Sequence, residues 1–193
     1  MTSKVLMIVS ASALALAACG QRDNEAGDDV NVAVDNGVVV DNGMMADADA
    51  ALPTSAQGFA NTAAASDRFE IESSELAASQ GQSAAIKSYA AKMITAHQES
   101  TAKLKTTASG LTPAVTPDDT LSAAQQQDLD GLKGKTGAEF DTAYVAAQVK
   151  AHQAALDALN AYAASGDTPA LKEFASGLVP TVTAHLNMAK GLK

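Results

Sequence analysis

The stretch "IKSYAAKMITAHQESTAKL", residues 86–104, decides the fold. Ile86, Ala90, Met93, His97, Ser100 and Leu104 stand 4, 3, 4, 3 and 4 residues apart, and Lys87, Lys92, Gln98, Glu99 and Lys103 fall between them. Alternating steps of three and four place all six side chains on one side of an α-helix. No glycine or proline interrupts the run, and Ala, Lys, Gln, Glu, Met and Leu are strong helix formers. The stretch reads as an amphipathic helix whose inward side carries a histidine.

The same rhythm recurs on either side. Upstream it runs through Phe59, Ala63, Ser66, Glu70, Ser73 and Ala77. Downstream it runs through Val145, Val149, His152, Leu156 and Leu159, and again through Leu171, Phe174, Leu178, Thr181, His185, Met188 and Leu192. The spacing predicts helices over 57–79, 83–109, 137–165 and 168–191, packed at shallow angles as an all-α, four-helix bundle. Gly81 divides the first two helices. "SGDTP" at 165–169 divides the last two, with Asp167 or Thr168 as cap and Pro169 in the first turn. Between helices two and three, "SGLTPAVTPDD" breaks the chain and residues 119–134 form a short extra helix. This connection of 27 residues, 110–136, is long enough to cross the length of the bundle. Pro180 removes a backbone donor inside the fourth helix and predicts a local kink.

Residues ahead of the bundle read differently. Lys4 precedes the apolar run "VLMIVSASALALAA", which is short for a membrane span, and "LAAC" places the single cysteine, Cys19, after small residues. This arrangement resembles the lipobox of bacterial lipoproteins. The expectation is a signal peptide over 1–18, a lipidated Cys19 that anchors the chain to a membrane, and, with Gly20 following, an outer-membrane address facing the periplasm. Residues 20–55 carry eight acids and one base, and "VDNG" occurs twice, at 34–37 and 40–43. That composition predicts a disordered acidic tether over 19–54, with the bundle occupying 55–193.

Most of the net charge of −9 belongs to the tether; residues 56–193 hold fourteen acids and eleven bases. A bundle with no basic stripe and only 4% aromatic residues offers no surface for nucleic acid. With Cys19 acylated, the folded part has no thiol, which removes disulfides, thiolate nucleophiles and cysteine-based metal sites. No glycine-rich phosphate loop, Gly-x-Ser-x-Gly elbow or His-Glu-x-x-His stretch is present, so the expectation is a protein that is not an enzyme.

The phrases "FANTAAASDRFEIESSELA" (59–77), "IKSYAAKMITAHQES" (86–100), "GAEFDTAYVAAQVKAHQ" (137–153) and "FASGLVPTVTAHLNMAK" (174–190) resemble a bacterial family of exported domains. It is the domain of unknown function 4142, whose members are often labelled predicted outer membrane proteins. The resemblance implies a ferritin-like bundle. It places the family's first-helix glutamates on Glu70 and Glu72, and its three histidines on His97, His152 and His185. The acids that precede two of those histidines in the family are Ala96 and Ala151 here, and an arginine of the third helix is Thr142.

The three histidines lie on three different inward seams. At 1.5 Å per residue, Glu70, His97, His152 and His185 fall within roughly 8 Å of one level along the bundle. Three imidazoles and a carboxylate can hold a tetrahedral Zn²⁺ or another divalent metal. They can equally be neutral core residues bonded to Ser66, Ser100, Thr181 or one another, in a protein that acts through envelope interactions or stress protection and takes no metal. Met93 and Met188 share faces with His97 and His185, which would suit a soft metal such as Cu(I), although methionine at helical spacing also serves as core filler. Tyr89, Tyr144 and Tyr162 read as half-buried packing residues, and Asp141 as a second acceptor near the site, a solvated acid or a partner of Lys150. A carboxylate-bridged di-iron centre is excluded. It needs Glu-x-x-His on two helices, and the residues three before the histidines are Ile94, Val149 and Val182.

Overall fold

The computed structural model describes residues 52–192; the expected leader, Cys19 and the tether as far as residue 51 lie outside the described residues. Among the described residues there are five helices: α1 (Ala56–Gln80), α2 (Ala84–Ser109), α3 (Ala123–Lys133), α4 (Gly137–Ser165) and α5 (Pro169–Gly191). Four are long, and α3 is the short extra helix of the crossover. Serines begin three of them. Ser55 Oγ accepts from the Gly58 amide and Ser83 Oγ from the Ile86 amide, while Ser122 and Gln125 cap each other's backbone. At α5, Thr168 is the cap residue without a side-chain bond to the helix, and Pro169 supplies the first turn. Pro180 sits inside α5, which is continuous from 169 to 191, so no break in the helix accompanies it.

The connections dictate the directions. A tight turn joins α1 to α2, and α4 begins beside that turn, where Asp141 accepts hydrogen bonds from the amides of Gln82 and Ser83, each at 2.9 Å. The α4–α5 turn lies at the opposite end, where the Asp167 amide donates to the carbonyl of Thr54 just ahead of α1. Thus α1 and α5 run one way and α2 and α4 the other, and the crossover carrying α3 returns the chain along the full length of the bundle. The main packing is α1 on α2 and α4 on α5; α1 also packs on α4 and α2 on α5, which closes a ring of antiparallel neighbours. The α4–α5 turn needs a glycine, because a Cβ on Gly166 would stand 2.6 Å from the Tyr162 ring.

Asp141 therefore caps a turn. It is neither a neighbour of the histidines nor a partner of Lys150, which pairs with Asp128 at 2.8 Å. Asp141→Ala removes two charge-assisted bonds that tie α4 to the first hairpin. It should lower unfolding free energy by about 1–2 kcal/mol, read as a lower urea midpoint at unchanged slope; an unaltered midpoint would contradict this role.

The interior contains two apolar clusters. At one end Phe59, Leu104, Leu159, Tyr162 and Leu171 pack together, with Phe59 and Tyr162 stacked at 4.0 Å. At the other, Ile86, Met93, Phe140, Tyr144 and Leu132 of α3 do so. The tyrosines are fully enclosed rather than half-buried. Their hydroxyls find acceptors or partners in the protein: Tyr144 with Ser74 at 2.8 Å, Tyr162 with Asp167 at 2.9 Å, and Tyr89 with the carbonyl of His185 at 3.4 Å. In α4 the deepest side chains are Phe140, Tyr144, Gln148 and His152, whereas Val145, Val149 and Leu156 line the flank. A helix packed on two neighbours buries a wide face, and the larger rings take its centre. In α5 the same one-residue rotation buries Val182, Leu186 and Ala189 and leaves Thr181 and Met188 outside.

Candidate metal centre

Between the two apolar clusters lies a layer of buried polar side chains: Asp67, Glu70 and Ser73 from α1, His97 from α2, Gln148 and His152 from α4, and His185 from α5. The three imidazoles meet there. Their ring centroids are 5.5–5.8 Å apart, and one ring nitrogen from each lies within 4.8 Å of the others. The seam spacing that placed them at one level holds.

Their hydrogen bonds determine which nitrogens keep a free lone pair. His97 Nδ1 is 2.8 Å from Asp67 Oδ1, and the Thr101 hydroxyl donates to Asp67 Oδ2 at 3.2 Å. His152 Nδ1 is 2.9 Å from the carbonyl of Gln148 one turn earlier. A carbonyl and a carboxylate are acceptors, so both Nδ1 atoms donate. The neutral rings then keep a lone pair on Nε2, the arrangement a metal-binding imidazole needs. His97 Nε2, His152 Nε2 and His185 Nδ1 are all buried without a hydrogen-bond partner. Ser66, Ser100 and Thr181, the partners expected of purely structural histidines, satisfy none of these three atoms.

Glu70 lies beside His152 and is not one of the converging group. Its Oε1 is 3.3 Å from His152 Nδ1, whose proton is directed to the closer Gln148 carbonyl. Gln148 Nε2 donates to Ser73 Oγ, and neither Glu70 oxygen has a hydrogen bond. Glu72 lies on the surface, where it pairs with Arg68 at 2.7 Å. Met93 is buried in the apolar cluster beside α3, and Met188 is 37% exposed.

The electrostatics of the layer favour neutral imidazoles at two of the three positions. Burial, helped by the charge of His97, lowers His152 to about 3, and burial and His97 lower His185 to about 4. Burial opposes charge on His97 as well, but the hydrogen bond to Asp67 and the charges of Glu70 and Asp67 outweigh it and raise its pKa. Burial raises Glu70 to about 7, against smaller opposing effects of His97 and Gln148.

Asp67 is the functional residue that the spacing argument passes over. A lone acid between Ser66 and Arg68 looks solvated, yet it is 5% exposed. The available signal is its place on the stripe Ala60, Ala64, Asp67 and Ser74, all buried, which lies beside the stripe through Glu70. With Ala96 in place of an acid beside His97, Asp67 supplies a carboxylate from the neighbouring helix.

The chain belongs to the family described as a domain of unknown function (DUF4142), whose model matches residues 42–192. No curated protein matches it in sequence. Its bundle is similar to solved structures of CopM. The Cu(II)-bound form has a TM-score of 0.61 at 16% identity, over 71% of this chain and 94% of that one. The Ag-bound form, obtained by co-crystallization, has a TM-score of 0.59 at 17% identity, over 71% and 93%. The Cu(I)-bound form has a TM-score of 0.59 at 17% identity, over 70% and 92%. At such identity the likeness is one of fold.

Proposed function

We propose that this chain is a non-enzymatic metal-binding protein of the cell envelope that holds one copper ion through His97, His152 and His185. The observations that carry the reading are that one ring nitrogen from each of three buried imidazoles converges and that His97 Nε2, His152 Nε2 and His185 Nδ1 are buried without a hydrogen-bond partner. Leaving a buried polar atom unsatisfied costs about 1–3 kcal/mol, and a metal satisfies all three at once. Asp67 and the Gln148 carbonyl hold His97 and His152 in the ligating tautomer. An all-imidazole set suits copper and zinc, and among divalent ions Cu²⁺ binds such sites most tightly. The copper- and silver-bound forms of CopM, which shares the fold, point the same way.

Equilibrium dialysis against Cu(II) followed by elemental analysis tests the reading. The full chain is expected to retain one ion and the triple His97→Gln, His152→Gln, His185→Gln variant none. Equal retention by both would place the copper elsewhere and overturn the site. Retention of zinc in preference to copper under competition would overturn the choice of metal.

The location follows from Cys19. A sole cysteine after "LAA" supports a lipid anchor, and Gly20 supports an outer-membrane lipoprotein facing the periplasm. Cys19→Ser should release the chain from membranes or leave it unprocessed. Normal maturation together with unchanged membrane fractionation would contradict the anchor.

A further inference from the structure

We propose that the three-histidine centre is open on the side of His97 and His185, and that the bound metal takes a small exogenous anion there as a further ligand. This deepens the copper reading and rests on it. A cavity of about 60 Å³ lies against His97 and His185 and does not reach His152. Fractional exposure follows the same division: 6% for His97 and 8% for His185, against 1% for His152. The two imidazoles on the cavity keep what exposure the cluster has, and the third is sealed.

The donor set leaves a position to fill. Among the described residues the converging group consists of the three histidines alone, with no carboxylate or thiolate. Asp67 and Glu70 approach the Nδ1 atoms of His97 and His152 from behind. A three-nitrogen set with an accessible face is the pattern of a site that keeps a coordination position open.

The cavity also selects the ligand. Ala63, Ala96, Ala155 and Leu178 give its wall a largely apolar character, and the hydroxyls of Thr62, Ser66, Ser100 and Thr181 and the Asp67 side chain, already bonded to His97 and Thr101, supply its few polar groups. A strongly hydrated anion would recover only part of its hydration from these few hydroxyls, beside a carboxylate that repels it. An anion that bonds the metal directly and sheds water easily, such as azide or thiocyanate, offsets part of the ion's charge and needs nothing from the wall. The volume, room for about four waters, admits a ligand of a few atoms.

The experiment is an azide titration of the Cu(II)-loaded full chain, followed by absorption and electron paramagnetic resonance. The expected result is a saturable azide-to-copper charge-transfer band with a changed copper spectrum, and a weaker response to fluoride. Ala155→Leu, which places a branched side chain in the cavity, should keep stoichiometric copper and raise the azide Kd by about tenfold or more. Ala63→Val serves the same purpose if thermal melting shows that the leucine variant does not fold. The triple His→Gln variant should show no band. Copper bound through the three histidines with a spectrum indifferent to azide would overturn the open position, as would an azide affinity unchanged by filling the cavity. Failure of the wild-type chain to take up copper would instead overturn the metal reading on which it rests.

Discussion

Copper should raise the melting temperature of the wild-type chain, and replacing any one of the three histidines by glutamine should erase the increase. Free metal at one hundred times Kd stabilises the native state by about 2.7 kcal/mol, which for a domain of this size is roughly 10 °C. The effect depends on the native state alone, because only there do helices α2, α4 and α5 bring their imidazoles together. His185→Gln is the cleanest variant: its inward Nδ1 makes no hydrogen bond, so its loss disturbs the metal-free fold least. His97→Gln also deprives Asp67 of one of its two partners, leaving only Thr101, and should lower metal-free stability by about 1–3 kcal/mol. Differential scanning calorimetry with and without copper separates the two effects. An increment that survives the triple variant would show that the stabilising site lies elsewhere.

Glu70→Gln should stabilise the metal-free protein in mild alkali and leave it nearly unchanged at pH 5. Burial raises the Glu70 carboxyl from 4.5 to about 7, so between these values the native state holds a proton that the unfolded chain has lost. Stability therefore falls as pH rises through that window, and the full cost is present above pH 7. A shift of this size corresponds to about 3 kcal/mol. The amide carries no charge, and it can donate a hydrogen bond in a layer where Gln148 Oε1 lacks a partner. His152 and His185 slope the other way. Their lowered pKa values mean that the unfolded chain takes up protons first as pH falls below 6.5, so stability is lost toward pH 4 in wild type and variant alike. The difference between urea midpoints of the two proteins, measured from pH 5 to 9, reads the glutamate together with its coupling to His97. A difference that stays flat with pH would show that Glu70 is not a buried ionising group.

The bundle was legible because its evidence is periodic. Steps of three and four, and the breaks at Gly81, "SGLTPAVTPDD" and "SGDTP", define the elements to within a few residues, and the length of the crossover dictates the direction of α4. The level of the three histidines was legible for the same reason, since rise per residue converts sequence position into height. Rotation about each helix axis was less so. Val145, Val149 and Thr181 share a rhythm with buried residues but lie one position round from the centre, because alanine-rich helices offer adjacent apolar stripes that spacing alone cannot rank. The pairing of Asp67 with His97 was hidden for a further reason: it depends on which side chain of a neighbouring helix comes opposite, and that is settled by packing. Glu70 shows the limit directly, being at the expected height and beside His152 Nδ1 but outside the converging group.

The order of the ligands along the chain has its own consequence. His97 belongs to the first hairpin, and His152 and His185 belong to the second, across a crossover whose ends are joined only by the 27 residues between α2 and α4. Packing is more extensive within each hairpin than between them, so the seam between hairpins is where the bundle would part first. An ion held by all three histidines is a cross-link over that seam, closing a loop of more than fifty residues from 97 to 152. Because the three imidazoles converge only while the hairpins are joined, parting the seam must break the ion's coordination, so opening there costs binding free energy that opening elsewhere does not. Amide exchange in the metal-loaded chain should accordingly slow most where α2 faces α5 and α1 faces α4, with smaller changes inside either hairpin.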